Sequence, residues 1–195
     1  MPDHIRDGTG KANLAKVGDD NRLWTDAISN SAQHIAAHAD QDAFQVIGTT
    51  TPAAATVVVL HGKNNHPTKD LVLTYVRHQV VDQSGGTAFP NASNYFRMAL
   101  DRTYASDGAS AVPVQLTAGN GKTSQTTWYT STPTLVGTAR EFDRFYTKAE
   151  GDMNTFNKEG TVIVPPNGTI EFSYVGDHTS GTIYCRVSFY MEEHH

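Results

Sequence analysis

The last stretch of the chain, Thr161 to Glu192, constrains the fold most. Thr161 to Val164 is short and β-branched, and Pro165, Pro166, Asn167 and Gly168 punctuate it. From Thr169 to Val175, Ile170, Phe172 and Tyr174 alternate with Glu171 and Ser173. After a Gly-Asp-His-Thr-Ser-Gly turn, Ile183, Cys185, Val187, Phe189 and Met191 alternate with Tyr184, Arg186, Ser188 and Tyr190. Successive strand side chains point to opposite faces, so this pattern predicts two or three consecutive antiparallel strands. One face belongs in a core; the other meets water or a partner.

The rest of the chain reads as cover for that core. Its 195 residues fit one domain with an arm. A chain this long buries roughly 70% of its unfolded surface, so neither a metal nor a disulfide is needed to fold it. Residues 1–22 are polar and Gly-rich, with too few large apolar side chains for a core; they read as an extended N-terminal arm, ordered when docked on a neighbour. Residues 23–195 read as a single β-sandwich domain, opening with a short strand from Leu23 to Ile28.

Asn30 or Ser31 is placed to cap a short helix carrying Ala32, Ile35, Ala36, Ala39 and Ala43 at helical spacing. Strands follow in series. Phe44 to Gly48 is short. Ala55 to His61 is a continuous apolar run, as expected of a central strand buried on both faces. Asp70 to Val81 is long, with Leu71, Leu73 and Tyr75 sharing a face. Tyr95 to Tyr104 alternates, Ala111 to Thr117 is shorter, and Thr126 to Val136 carries Trp128, with Pro133 marking an edge or bulge. Thr138 and Glu141 form a capping-box pattern before Phe142, Phe145, Tyr146 and Ala149, which predicts a second short helix at about 139 to 150; an alternating strand of Phe142, Arg144 and Tyr146 is the alternative, which puts Arg144 between two aromatics. The helices that a parallel α/β fold wants after each strand are missing. The fold expected is therefore all-β: an antiparallel two-sheet sandwich of jelly-roll type, with the arm and one or two short helices. A Greek-key sandwich of another order is the alternative.

Catalytic patterns are sparse. Lys122-Thr123 follows Gly121, but Leu116 stands where a phosphate loop needs its first glycine. Gly10-Lys11 is followed by Ala12, which has no hydroxyl for magnesium. His34 and His38 are four apart, but Ile35 stands where a zinc protease has its glutamate; a solvated or interface face, or a metal bound between subunits, are the readings left. His61 and His66 read as loop residues. Asp101 and Glu171 fall on outer faces, where solvation is the default, and no Gly-x-Ser-x-Gly elbow exists. The only cysteine, Cys185, reads as a small buried hydrophobe. No catalytic, cofactor or metal site is assigned and no enzyme is expected. The net charge of -5 argues against non-specific nucleic-acid binding. The start lacks the apolar core of a signal peptide, and no run approaches the ~18 apolar residues of a membrane span, so no membrane association is expected. Tyr184, Arg186 and Tyr190 on the outer face of the last strand suit a subunit contact, an ordinary sheet surface or, less well, a sugar.

The opening Ile5-Arg6-Asp7-Gly8-Thr9-Gly10, then Ala15-Lys16-Val17 and Asn21-Arg22-Leu23, resembles the start of small virion structural proteins of tailed bacteriophages. In those a polar Asp-Gly-(Ser/Thr)-Gly arm precedes an Asn-Arg-Leu strand start. Pro113 to Gly119 and the Val162-Ile163-Val164-Pro165-Pro166-Asn167-Gly168 run are similar too, whereas the stretches at 34–38 and 142–146 depart from the pattern. The resemblance implies a β-rich capsid decoration or cement protein, without catalytic residues, located on the virion and assembled in the host cytoplasm. Its partners would be the major capsid protein or other virion proteins. A homo-oligomer is expected, a trimer first. A receptor- or glycan-binding jelly-roll module of a tail or fibre is the alternative. The contact residues expected are Ile5, Arg6, Leu14, Val17, Arg22 and Leu23 of the arm and first strand, with Tyr184, Arg186 and Tyr190.

Overall fold

The structure, a computed structural model, describes residues 4–6, 14–17, 23–24 and 42–193, apart from 85–88, 90–91, 118–120, 150, 152 and 159–160. Among these residues the chain is all-β, without a helix. It divides into two compact units, Met1–Ser31 and Ala32–His195.

The first unit is a small antiparallel sheet of β1 (His4–Arg6), β2 (Leu14–Val17) and β3 (Leu23–Trp24). Lys16 pairs with His4 on one side and Trp24 on the other. Ile5, Arg6, Leu14, Val17 and Leu23 therefore all sit on its strands; Arg22 lies outside the described residues. Leu23 pairs back onto β2.

The second unit is built from two six-stranded sheets. The first comprises β4 (Ala43–Thr50), β6 (Lys69–Ser84), β10 (Val114–Gln115), β14 (Asn154–Asn157), β15 (Ile163–Val164) and β17 (Ser180–Glu193), in the order β10-β4-β17-β6-β14, with β15 also on β6. The second comprises β5 (Thr56–Asn64), β7 (Tyr95–Leu100), β9 (Ala109–Ala111), β11 (Thr126–Thr130), β13 (Arg140–Tyr146) and β16 (Thr169–Val175), in the order β13-β7-β16-β5-β11-β9. A separate ribbon pairs β8 (Thr103–Ser106) with β12 (Thr134–Val136). Four antiparallel pairings nest inside one another: β4 with β17, β5 with β16, β6 with β14 and β7 with β13.

The two sheets bury one contiguous core. Ile170, Phe172 and Tyr174 of β16 enter it, as do Ile183, Cys185, Val187, Phe189 and Met191 of β17, which is the face the alternation predicts. The apolar run Val57 to Leu60 is buried on β5, a strand flanked by β16 and β11. Trp128 lies across Gly62 and reaches Phe189 of the other sheet, with ring centroids 5.4 Å apart. A Cβ on Gly62 would sit 2.5 Å from the indole, so only glycine lets the ring lie against the strand.

Several sequence expectations are corrected. Residues 140–146 form a strand paired with β7, not a helix. The register shifts between Glu141 and Asp143, so Phe142 is an extra residue, and Glu141 and Arg144 come to one face, where they pair at 2.7 Å. Arg144 also lies 4.2 Å from the ring centre of Tyr95, so a tertiary partner favours the strand over the local capping pattern. The helix expected from residue 30 lies outside the described residues except for its end, and Ala43 begins β4. On β6 the register shifts where Ser188 meets Tyr75 and Phe189 meets Leu73. Thr74 is the extra residue, its hydroxyl donating to the Ser188 carbonyl at 2.9 Å. Leu71 and Leu73 face inward before it; Val76, His78 and Val80 do so after it, and Tyr75 does not share the face of Leu73. The strand expected from Tyr95 to Tyr104 breaks at Asp101, whose φ is 80°. The one expected from Thr126 to Val136 breaks at Ser131 and Thr132, with φ of 59° and 58°.

Candidate interaction face

The outer faces of the two sheets differ. On the first sheet, cross-strand register aligns Ile47, Arg186, Arg77 and Thr155 in one row, and Thr49, Tyr184 and Gln79 in the next. In-register neighbours project to the same side. Ile47 is 48% exposed and Tyr184 42%; Arg186, Arg77 and Thr155 are exposed as well. Met153, just before β14, is 63% exposed, and Val114 at the β10 edge 66%. Large apolar side chains and arginines thus share a sheet surface that no other described residue of this unit covers. Tyr184 and Arg186 stand where the alternation of β17 predicts. Tyr190 does not: it is 4% exposed, packed with Ala43 and Val72 in a small cluster apart from the main core. The alternation gives its direction correctly, but neighbours at that end of the sheet bury it.

The second sheet's outer face is partly closed by the chain between β7 and β13. Arg102 follows β7 and donates from Nε to Glu171 Oε2 at 2.6 Å; Arg97 donates to Oε1 at 2.8 Å. Ser173 adds a hydroxyl donor to the same carboxylate at 3.2 Å. The Arg102 carbonyl meets His61 Nε2 at 3.0 Å. Farther along, Tyr104 stacks on Tyr129, centroids 3.6 Å apart. Glu171 points outward as expected but is 1% exposed, not solvated. His61 is likewise a buried residue of β5, not a loop residue. Burial holds its ring below the ordinary histidine range, against the pull of the Arg102 carbonyl and of Glu171. Asp101, by contrast, is half-exposed and pairs with Arg140 at 2.7 Å.

Among the described residues, two depressions stand out on the sandwich. One, of about 110 Å³, lies on the open face of the first sheet between Ile47, Arg77, Met153, Tyr184 and Arg186. That is below the ~300–1,000 Å³ of a small-molecule pocket and suits one side chain. The other, about 520 Å³ and more open, is lined by Thr49 to Ala53, Ser131, Thr132 and Thr182, without a titratable side chain. Cys185 is fully buried and its thiol is pushed far up, which keeps it from acting as a nucleophile. Among the described residues no group of three or more His, Cys, Asp or Glu could hold a metal ion. His34 and His38 lie outside them. The sequence signals for the covered face were absent because Arg97, Arg102 and Glu171 are 74 and 69 residues apart, joined only by the fold.

Comparison with known proteins returns no match, either to a protein-family model or to a curated protein.

Proposed function

We propose that this protein is a non-enzymatic structural subunit of a bacteriophage virion. In this reading it is a jelly-roll decoration or cement protein that binds the capsid surface as a homo-oligomer, a trimer first. The observation that carries the reading is the open face of the first sheet, where Ile47, Tyr184 and Met153 stay exposed beside Arg77 and Arg186. Aromatic residues, methionine and arginine are enriched in protein interfaces, and a cleft sized for one side chain is a contact feature. The jelly-roll reading rests on the nested pairings. When one long antiparallel hairpin is rolled up, the first strand pairs with the last, the second with the next to last, and so inward. β4 to β17, β5 to β16, β6 to β14 and β7 to β13 follow that rule. Viral capsid proteins use this architecture, which closes two sheets over one core. The stretch from Asp101 to Ala139 is then an insertion in the innermost turn.

The N-terminal unit supplies the second contact in this reading. Its sheet is too small to bury a core of its own, so it gains order by docking on a neighbouring subunit or the capsid. Deleting residues 1–31 tests this. The remaining unit carries the contiguous core and should melt within a few degrees of the whole protein, measured by circular dichroism, while co-sedimentation with particles that lack it falls at least ~10-fold. Full binding by the truncated protein would remove the unit's role.

A receptor- or glycan-binding module of a tail or fibre is the second reading. The hydroxyl-lined depression around Thr49 to Ala53 and Thr182 favours it, since lectin domains share the jelly roll. A glycan array without hits would set it aside.

A further inference from the structure

The sandwich unit has six arginines, and four of them hold a carboxylate: Arg97 and Arg102 share Glu171, Arg140 holds Asp101 and Arg144 holds Glu141. The other two, Arg77 and Arg186, are direct cross-strand neighbours. At that register their Cβ atoms are about 5 Å apart. Neither forms an ion pair among the described residues, and their described register neighbours are neutral: Ile47 and Thr155 in their own row, Thr49, Tyr184 and Gln79 in the next. Two like charges facing each other on adjacent strands cost stability. The charges of the pair therefore do not help to hold the sheet together, in a chain whose net charge is -5. It becomes favourable when an anion sits between the two guanidinium groups, each of which offers a planar fork of donors to a carboxylate.

Resting on the reading that this protein coats a particle, we propose that Arg77 and Arg186 grip an acidic side chain of the capsid surface. In the same contact an apolar side chain beside that acid fills the cleft of about 110 Å³ between Ile47, Met153 and Tyr184. The arrangement selects against a second copy docked face to face. A two-fold contact through this patch would bring four arginines together without a carboxylate, which is repulsive. The partner surface is thus one other than this patch itself, and a carboxylate next to an apolar residue is its recognition element.

The test uses purified particles lacking this protein and three full-length proteins: the parent, an Arg77→Gln/Arg186→Gln variant and an Arg77→Glu/Arg186→Glu variant. Binding is measured by co-sedimentation at about 50 and about 300 mM salt. The parent should bind and weaken as salt rises. The Gln variant should bind at least ~10-fold more weakly at low salt and lose most of its salt dependence, and the Glu variant should bind more weakly still. The Gln variant should melt no lower than the parent, because a like-charge pair is removed; this separates a contact from a fold defect. Folded variants that bind as the parent does, with the same salt dependence, overturn the arginine grip and leave the particle reading standing. A parent that does not bind particles at all overturns the particle reading, and the grip with it.

Discussion

Replacing Glu171 with alanine should destabilise the protein by about 3 kcal/mol in urea denaturation. The carboxylate is buried to 1% exposure and holds Arg97 at 2.8 Å and Arg102 at 2.6 Å. Removing one partner of a buried ion pair leaves the other side uncompensated, at a typical cost of ~3–5 kcal/mol. The low end applies, because the two arginine side chains remain 18% and 21% exposed and recover some hydration. The loss should be structural as well as energetic. Arg102 presents its carbonyl to His61, so releasing its side chain loosens the segment that covers the second sheet. Glu171→Gln keeps acceptor geometry on one oxygen and should lose less than Glu171→Ala. A loss below about 1 kcal/mol for the alanine variant would contradict the assignment of this triad as a fastening of the covered face.

A second large effect concerns acid. His78 projects from β6 into the core, its ring 4.3 Å from Phe96 and 5.4 Å from Phe156, and neither ring nitrogen has a hydrogen-bond partner among the described residues. Burial lowers its pKa from 6.5 to about 4. The unfolded chain therefore takes up a proton near pH 6.5 that the folded protein refuses until about pH 4. Stability is fully present above pH 6.5, falls as pH drops through that window and levels off below it, a total of about 3 kcal/mol. His61, shifted in the same direction by burial, adds to the fall. Asp42 does not interfere. Desolvation pushes its pKa up, but hydrogen bonds from Lys122 and Lys69 outweigh that and hold it below 3.8, so its contribution is lost only at lower pH. Between pH 6.5 and 5 the parent should lose about 2 kcal/mol, and His78→Phe should lose clearly less. Equal slopes for the two proteins would show that His78 is not the buried titrating group.

Legibility from sequence followed the range of the forces involved. The strands of the closing hairpin were readable because their alternation is local: Ile170 to Tyr174 and Ile183 to Met191 carry the core face in plain period two. The buried central strand was readable from Val57 to Leu60 because an unbroken apolar run is an equally local signal. Reading failed where one residue shifts the phase, as Thr74 does on β6 and Phe142 on β13, since a bulge has no composition signature and reverses every side chain after it. It failed again where tertiary cover changes the meaning of a face. Glu171 and Tyr190 point outward as alternation demands, yet Arg97 and Arg102 close over one, and the other packs with Ala43 and Val72. The open face was half legible: Tyr184 and Arg186 follow from β17 alone, whereas Ile47, Arg77 and Met153 join them only through strand pairing between distant segments.

Counting copies of this protein in purified virions by quantitative mass spectrometry separates the coat reading from the tail or fibre reading. A coat subunit that holds the particle through its open sheet face should be present in on the order of hundreds of copies, in fixed ratio to the major capsid protein. A handful of copies would place the protein in the tail or a fibre, and its absence from the particle would rule out a virion role.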